Sequence, residues 1–275
     1  MNLERSSHLV ARLDWRPESG STNAELVALA TGADALAWPD LSVLATDNQT
    51  EGRGRLGRTW SAPAGGSLAV SILLRPAPFG HGPAGAPALP AEALGWLPLL
   101  AGAAMAEAVR HSVPTTGDAE TVWVKWPNDV LVSGRKVSGI LSQLLPNGGG
   151  VVVGAGVNLF LTADQLPVPT ATSLQLEGAT GLSVDGVLAA YLGAFTALYR
   201  AFEAAGGDAR ASGLAARVSQ LCGTLGQSVR VELPGGDTVS GRAVALEDDG
   251  RLRLEVEPGG RVLQVAAGDV THLRY

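Results

Sequence analysis

The sequence contains a single cysteine, Cys222, which excludes an intrachain disulfide. It also lacks any uninterrupted apolar run near the about 20 residues that a membrane-spanning helix needs. Residues 1–10 carry Glu4, Arg5 and His8 instead of the apolar core of a secretory signal. Cys222 is predicted to be a buried apolar residue and not a nucleophile. These absences predict a soluble, cytoplasmic protein.

Positive charge is not in excess. The chain has 20 Lys and Arg against 26 Asp and Glu, which gives a net charge of −6. Proteins that bind nucleic acids in general are basic, because they neutralise phosphates, so this balance argues against that class. Hydrophobic residues make up 46% of the 275 positions, which is ample for a core. This length fits either one large domain or one large and one small domain.

The hydrophobic pattern divides the chain into a mixed α/β part and a β-rich tail. A capping-box spacing, Thr22 with Glu25, predicts the start of a helix. Apolar runs predict strands at 41–45, 67–74, 121–126, 136–145 and 151–157, the last three as an antiparallel meander, and helical periodicity predicts helices at 97–110 and 187–205. After residue 218, short alternating strands and Pro-Gly turns predict a small β-barrel. We therefore predict domains at 1–217 and 218–275.

The most informative stretch is the arginine loop, residues 52–60, which reads Gly-Arg-Gly-Arg-Leu-Gly-Arg-Thr-Trp. Its guanidiniums, those of Arg53, Arg55 and Arg58, fall within six residues and are separated by glycine. Glycine allows the backbone to approach a ligand, and arginine supplies planar donors that match carboxylate or phosphate oxygens. The loop is therefore predicted to bind an anion and to be mobile without one.

Three further motifs accompany the arginine loop. They are Gly20-Ser21-Thr22-Asn23, the run Lys-Trp-Pro-Asn-Asp at 125–129 with Arg135-Lys136 after it, and Gly-Ala-Gly-Val-Asn at 154–158. In order and spacing, the four resemble the biotin protein ligase family over residues 14–205, and the tail resembles that family's C-terminal barrel. The resemblance implies an α+β fold, with a mixed, mainly antiparallel sheet, flanking helices and a small SH3-like β-barrel.

The resemblance also implies an activity. Members of the family join biotin to ATP, which gives biotinyl-5′-AMP and pyrophosphate, and then transfer biotin to one lysine of a carrier domain. Lys136 and Arg55 are the implied catalytic residues. The implied biotin-binding residues are Ser21, Thr22, Asn23, Gln49, Gly52, Arg53, Lys136 and Gly139. The implied nucleotide-binding residues are Arg53, Arg55, Arg58, Trp60, Lys125, Asn128 and Asn158.

Other expectations follow from the same resemblance. Biotin and ATP are substrates, Mg²⁺ is required, and no residue is assigned as a metal ligand. Asp129 could either orient a basic group or help to hold the ion through water. The partner is a biotin carboxyl carrier protein domain of a carboxylase such as acetyl-CoA carboxylase. Because the Ser-Thr-Asn motif begins at residue 21, we expect no DNA-binding domain and no specific DNA binding. The oligomeric state is open between a monomer and a ligand-linked homodimer, and Arg274 could reach the site from the barrel.

Three alternatives remain open from the sequence. A lipoate–protein ligase shares the fold and also adenylates a carboxylate, although the arginine loop favours biotin. A non-catalytic sensor of biotin or its adenylate would not need Lys136 and all three arginines. An arginine-loop nucleic-acid binder is disfavoured by the net negative charge.

Overall fold

The computed structural model describes residues 1–76, 89–114, 121–146, 148–256 and 258–273. The first part of the chain forms a seven-stranded sheet in the order β1-β2-β3-β7-β6-β5-β4. Its strands are β1 Arg12–Trp15, β2 Ser42–Thr46, β3 Ser67–Leu74, β4 Val122–Lys125, β5 Asp129–Val132, β6 Arg135–Leu144 and β7 Val151–Asn158. Only β1 and β2 pair in parallel, so the predicted mixed, mainly antiparallel sheet is confirmed.

Four helices accompany the strands in the described residues: α1 Thr22–Thr31, α2 Trp96–Ser112, α3 Val184–Ala204 and α4 Leu214–Leu221. Helix α2 contacts both α3 and strands β4 to β7, so it lies between the sheet and α3. Together with the 3-10 turn before it, α2 forms the segment Ala91–Ser112, which is long and apolar enough by composition to cross a membrane, but most of that segment is buried inside the fold. A core helix of a soluble protein has the same properties, because it is apolar on all sides. Helix α1 instead contacts β2, β3 and β7, around a separate small core.

The central strands β3 and β7 are buried along almost their whole length, as their continuous apolar runs predict. The three strands predicted as a meander correspond to β4, β6 and β7, and β6 and β7 pair directly, but β5 lies between β4 and β6, and the predicted turn at Ser133 and Gly134 joins β5 to β6. The short strand β5 and helix α4 were not predicted. Strand β5 has only four residues, and α4 has eight, so neither gives a long periodic signal.

The tail forms a second, five-stranded antiparallel sheet in the order β11-β10-β9-β8-β12. Its strands are β8 Ser228–Glu232, β9 Thr238–Leu246, β10 Leu252–Val256, β11 Arg261–Val265 and β12 Asp269–His272. Helix α4 runs across the boundary predicted at 217/218, and the new sheet begins at Ser228. The tail packs on the first domain at Trp126, whose indole donates to Gly250 O, and at Trp96, whose indole donates to Asp248 O. This docking brings the start of β12 towards the arginine loop.

Candidate active site

The four motifs converge on one cavity between the first sheet and the arginine loop. Its lining consists of Ser21, Thr22, Asn23, Gln49, Arg53, Gly54, Arg55, Leu56, Arg58, Thr59, Trp60, Ala69, Asn128, Asp129, Lys136, Gly139, Ile140, Leu141, Gly154, Ala155, Gly156 and Asp269. Neutral polar groups lie at one end, which we call the inner end, and charged groups lie at the other, the outer end. Most of the residues predicted for the site are therefore brought together.

The inner end begins at the N-terminus of α1. Ser21 is the N-cap, and its hydroxyl accepts from the Ala24 N–H at 3.4 Å. The predicted capping box at Thr22 was therefore wrong by one position, because Thr22 is already helical. Glu25 instead accepts from the Ser19 hydroxyl at 2.7 Å and from the Gly20 N–H at 3.2 Å. This arrangement fixes the turn that carries Ser21 into the cavity.

A hydrogen-bond network continues from this turn into the sheet. Gln49 Oε1 accepts from Thr22, both from its N–H at 2.9 Å and from its hydroxyl at 3.1 Å. The Ser71 hydroxyl donates to Asn23 Oδ1 at 2.6 Å and lies 2.8 Å from Thr22 Oγ1. Asn23 also donates to Leu141 O at 2.9 Å. Ser71 is fully buried on β3, so the network holds the inner end rigidly before any ligand is present.

The floor of the cavity is strand β7, where neighbouring side chains lie directly against Gly154 and Gly156. A Cβ on Gly154 would overlap the Asn23 amide, and one on Gly156 would overlap the Trp60 indole. Both glycines are therefore required by close packing. Trp60 Nε1 is buried without a hydrogen-bond partner in the described part of the chain. It lies against the floor, since a Cβ on Gly156 would be only 3.0 Å from this nitrogen.

Lys136 lies on β6 between the two ends. Its Nζ is 2.6 Å from Asp129 Oδ1 and 6.0 Å from the centroid of the Trp60 ring, and its side chain is 36% exposed. A Cβ on Gly139 would lie 3.1 Å from Lys136 Nζ, so this glycine leaves room for the ammonium group. Gly139 was predicted as a biotin-binding residue, and in the structure a side chain at this position would first meet Lys136.

The outer end is formed by the arginine loop, where Leu56 has a left-handed φ of 55°. Arg55 donates to Asn128 Oδ1 at 3.1 Å and to Gly268 O at 3.3 Å, so it joins three segments of the chain. Arg58 forms an ion pair with Asp269, in which the two side chains are 62% and 34% exposed. Although burial opposes ionisation of Asp269, the hydrogen bond and charge of Arg58 hold its pKa below the usual range. The second domain thus completes the outer end.

Three predicted site residues do not line the cavity. Gly52 closes the neck of the loop, where its carbonyl accepts from the Trp60 N–H at 2.9 Å. Lys125 lies on β4, and its charge acts on Asp269. Asn158 is buried, and its amide donates to Thr172 O at 2.9 Å, so it is not presented to the cavity as predicted for an adenine contact.

Sequence reasoning missed two contributors. Asp269 carries no local motif, and only the docking of the second domain brings it to the arginine loop. Ser71 lies in an apolar strand and gives no signal of its own, although a polar residue in such a strand can indicate a buried network. Arg274, which was expected to reach the site, lies outside the described residues.

Comparison with known proteins assigns the family. The model described as "Biotin/lipoate A/B protein ligase family" matches residues 21–158, and the one described as "Biotin protein ligase C terminal domain" matches residues 224–273. The chain belongs to the biotin/lipoate A/B protein ligase family. The first match contains the arginine loop, the Lys-Trp-Pro-Asn-Asp run and the Gly-x-Gly strand, and the second contains Asp269.

Individual members of the family are similar along most of the chain. A "Biotin--[acetyl-CoA-carboxylase] ligase" of Mycobacterium tuberculosis is 38% identical over 96% of this chain and 90% of its own. A biotin protein ligase from Aquifex aeolicus, solved in complex with biotin and ATP, is 26% identical with a TM-score of 0.72, and the match covers 96% of this chain and 100% of that one. A Leishmania major biotin protein ligase with biotinyl-5-AMP shares the fold at 22% identity and a TM-score of 0.60, over 94% of this chain and 99% of that one.

The described residues contain no group of three or more His, Cys, Asp or Glu side chains that could hold a metal ion. The two carboxylates in the cavity lining, Asp129 and Asp269, are each paired with a cation. The geometry therefore suits a ligand that brings its own negative charge to the outer end and places a neutral polar group at the inner end.

Proposed function

We propose that this chain is an ATP-dependent biotin protein ligase. It activates biotin as biotinyl-5′-AMP and then transfers the biotinyl group to a lysine of a biotin carboxyl carrier protein domain. The names of its relatives support this, as does the structural similarity to a ligase that binds biotin and ATP. The observation that carries the proposal is that Lys136 lines one cavity together with neutral polar side chains and the three arginines of the arginine loop.

Biotin binds at the inner end in this proposal. Its ureido ring offers one carbonyl and two N–H groups, which a few fixed hydroxyls and amides can recognise. Ser21, Thr22, Asn23 and Gln49 supply such groups, and the network through Ser71 holds them in position. The valerate chain then runs over the glycine floor towards Lys136. Arg53 and Gly139 complete the biotin contacts, and Gly52 closes the neck of the loop over them.

Adenylation takes place where the two ends meet. A carboxylate oxygen of biotin attacks the α-phosphorus of ATP, the new C–O–P bond forms, and pyrophosphate leaves with its electron pair. Two anions must approach each other in this step, so its barrier depends on fixed positive charge. Lys136 supplies a cation between the carboxylate and the α-phosphate, and Arg55 with Arg53 and Arg58 neutralises the phosphates.

The nucleotide is held at the outer end. Trp60, with its unpartnered Nε1, flanks the base or ribose, and Asn128 positions Arg55 through its side-chain oxygen. Lys125 adds positive charge from β4. Asn158 contributes by holding the backbone at Thr172 in place of the direct base contact first expected. Magnesium enters with ATP as part of the substrate, with its ligands on the phosphates.

In the second half-reaction, the ε-amine of a carrier lysine attacks the acyl carbon of biotinyl-5′-AMP. An amide forms, AMP leaves, and the amine loses a proton. The closed arginine loop shields the mixed anhydride from water until the carrier binds. We propose acetyl-CoA carboxylase as the carboxylase concerned, the cytoplasm as the location, and no specific DNA binding. The oligomeric state stays open between a monomer and a ligand-linked homodimer.

The test is biotin-dependent exchange of labelled pyrophosphate into ATP in the presence of Mg²⁺, with lipoate run in parallel. We expect exchange with biotin and none with lipoate. Exchange with lipoate alone would assign the chain to lipoate ligation, the other activity in the family's name. If a folded protein catalyses neither exchange, the ligase assignment is wrong.

A further inference from the structure

Residues 170–178, which no sequence motif predicted to act in the site, lie beside Lys136. Strand β7 pairs with β6 only as far as Ser138, so it no longer flanks the strand at Lys136. There, residues 170–172 take its place: the Lys136 N–H donates to Thr170 O, and the Thr172 N–H donates to Lys136 O, both at 2.8 Å. The backbone of Lys136 is thus held by a segment that is not part of the sheet.

This segment is fixed in turn by a carboxylate. Glu177 Oε1 accepts from the Thr172 hydroxyl at 2.5 Å and pairs with the Arg135 guanidinium at 2.7 Å. The Glu177 side chain is only 9% exposed, and Thr172 is fully buried. Glu177 therefore links the residue before Lys136 on β6 to the residue that hydrogen-bonds Lys136 from the other side.

A second contact fixes the same point from the end of β7. Asn158 donates to Thr172 O at 2.9 Å, and its own carbonyl accepts from the Leu174 N–H at 3.0 Å. The N–H, carbonyl and hydroxyl of Thr172 are thus all engaged. Glu177 itself does not line the cavity, so it cannot touch a ligand there.

On the basis of the function proposed above, we propose that Glu177 is a positioning residue for Lys136. A lysine has a long, flexible side chain, so the location of its ammonium depends on a firmly held backbone. A displacement of about 1 Å in a catalytic group can cost up to about 100-fold in rate. Glu177 prevents such a displacement through its contacts with Thr172 and Arg135. Because Glu177 does not line the cavity, its loss should leave substrate binding largely unchanged.

The test compares Glu177→Ala with Glu177→Gln in steady-state, biotin-dependent pyrophosphate exchange. We expect Glu177→Ala to lower kcat about tenfold, with KM for biotin and ATP changed less than about threefold. Glu177→Gln keeps an oxygen acceptor for the Thr172 hydroxyl and should recover most of the rate. Glu107→Ala is the matched control, because Glu107 also forms a partly buried ion pair, with Arg217, far from the cavity. It should leave kcat unchanged.

A double-mutant cycle with Lys136→Ala separates positioning from general damage to the fold. If Glu177 acts through Lys136, its removal should have no further effect on the residual rate of Lys136→Ala. An equal loss in both backgrounds would overturn the proposal, and so would an unchanged kcat in Glu177→Ala. If Glu177→Ala does not fold, Thr172→Val removes the hydroxyl donor at constant shape and should show the same fall in kcat. Absence of wild-type exchange would instead refute the ligase function and this proposal with it.

Discussion

The two ends of the cavity are built on different principles. The inner end is buried, neutral and cross-linked by hydrogen bonds that join α1, β3 and β6 within one domain. The outer end is partly exposed and charged, and its contacts run between a loop and the second domain. The inner end is therefore preorganised for one ligand, whereas the outer end relies on weak protein contacts that a strongly charged ligand can replace.

The largest effect on the adenylation rate is expected for Lys136. Lys136→Ala removes the cation between two reacting anions and should lower the rate of adenylation by roughly 10²–10³-fold or more. Pyrophosphate exchange measures this rate, and circular dichroism should show an unchanged fold. Arg253→Ala, which breaks an exposed ion pair in the second domain, is the control. Near-normal exchange by Lys136→Ala would refute the role assigned to this residue.

A substitution at the inner end should lower both the affinity for biotin and the free energy of unfolding. Ser71→Ala leaves buried polar groups of Thr22 and Asn23 short of a partner, which should cost about 1–3 kcal/mol in the free energy of unfolding. Biotin should bind about tenfold more weakly, as titration calorimetry can measure. Ser138→Ala is the matched control, because this buried hydroxyl on β6 of the same sheet has no hydrogen-bond partner in the described residues. Equal losses in both variants would show that the inner end is not specially organised.

A substitution at the outer end should speed the release of biotinyl-5′-AMP and leave the affinity for biotin unchanged. Arg55→Gly removes the contacts to Asn128 and Gly268, so biotinyl-5′-AMP should dissociate several-fold faster. Stopped-flow release of the adenylate measures this rate. Unchanged dissociation, or a weakening of biotin binding as large as that in Ser71→Ala, would contradict the distinction between the two ends.

The smallest effect is expected for Asp269→Asn. Exposed ion pairs contribute about 0–1 kcal/mol, so adenylate dissociation should rise by no more than about threefold. Because Arg58 depresses the pKa of Asp269, the ion pair persists at neutral pH and is lost only when acid protonates the carboxylate. The ratio of wild-type to variant dissociation rates should therefore be flat from about pH 6 to pH 9. A ratio that changes through neutrality would mean that another group titrates at the loop.

The sequence was informative wherever neighbouring residues act together. The arginine loop, the Lys-Trp-Pro-Asn-Asp run and the Gly-x-Gly strand are each continuous in sequence, so they could be recognised as motifs, and the family resemblance that they carry implied their roles. The position of the helix cap was wrong by one residue, since Ser21 and Thr22 both suit the N-cap and only the packing against Gln49 distinguishes them.

Contacts between distant segments could not be predicted in the same way. Asp269 meets Arg58 only because the second domain docks on Trp96 and Trp126. Residues 170–178 form no helix or strand of their own, so they give no periodic signal. Asn158 stands in a predicted motif, but its partner is Thr172 on such a segment. Its actual contact depends on where β7 ends relative to β6.

The contribution of Asp269 has a consequence for how the protein is made. The lining residues appear on the ribosome in chain order, from Ser21 to Asp269. The residues of the inner end all precede the second domain in the chain. The arginine loop gains its carboxylate partner only after β12 has emerged. A chain interrupted before β12 would therefore lack both Asp269 and the Gly268 carbonyl, and the arginine loop would lose these two contacts with the second domain.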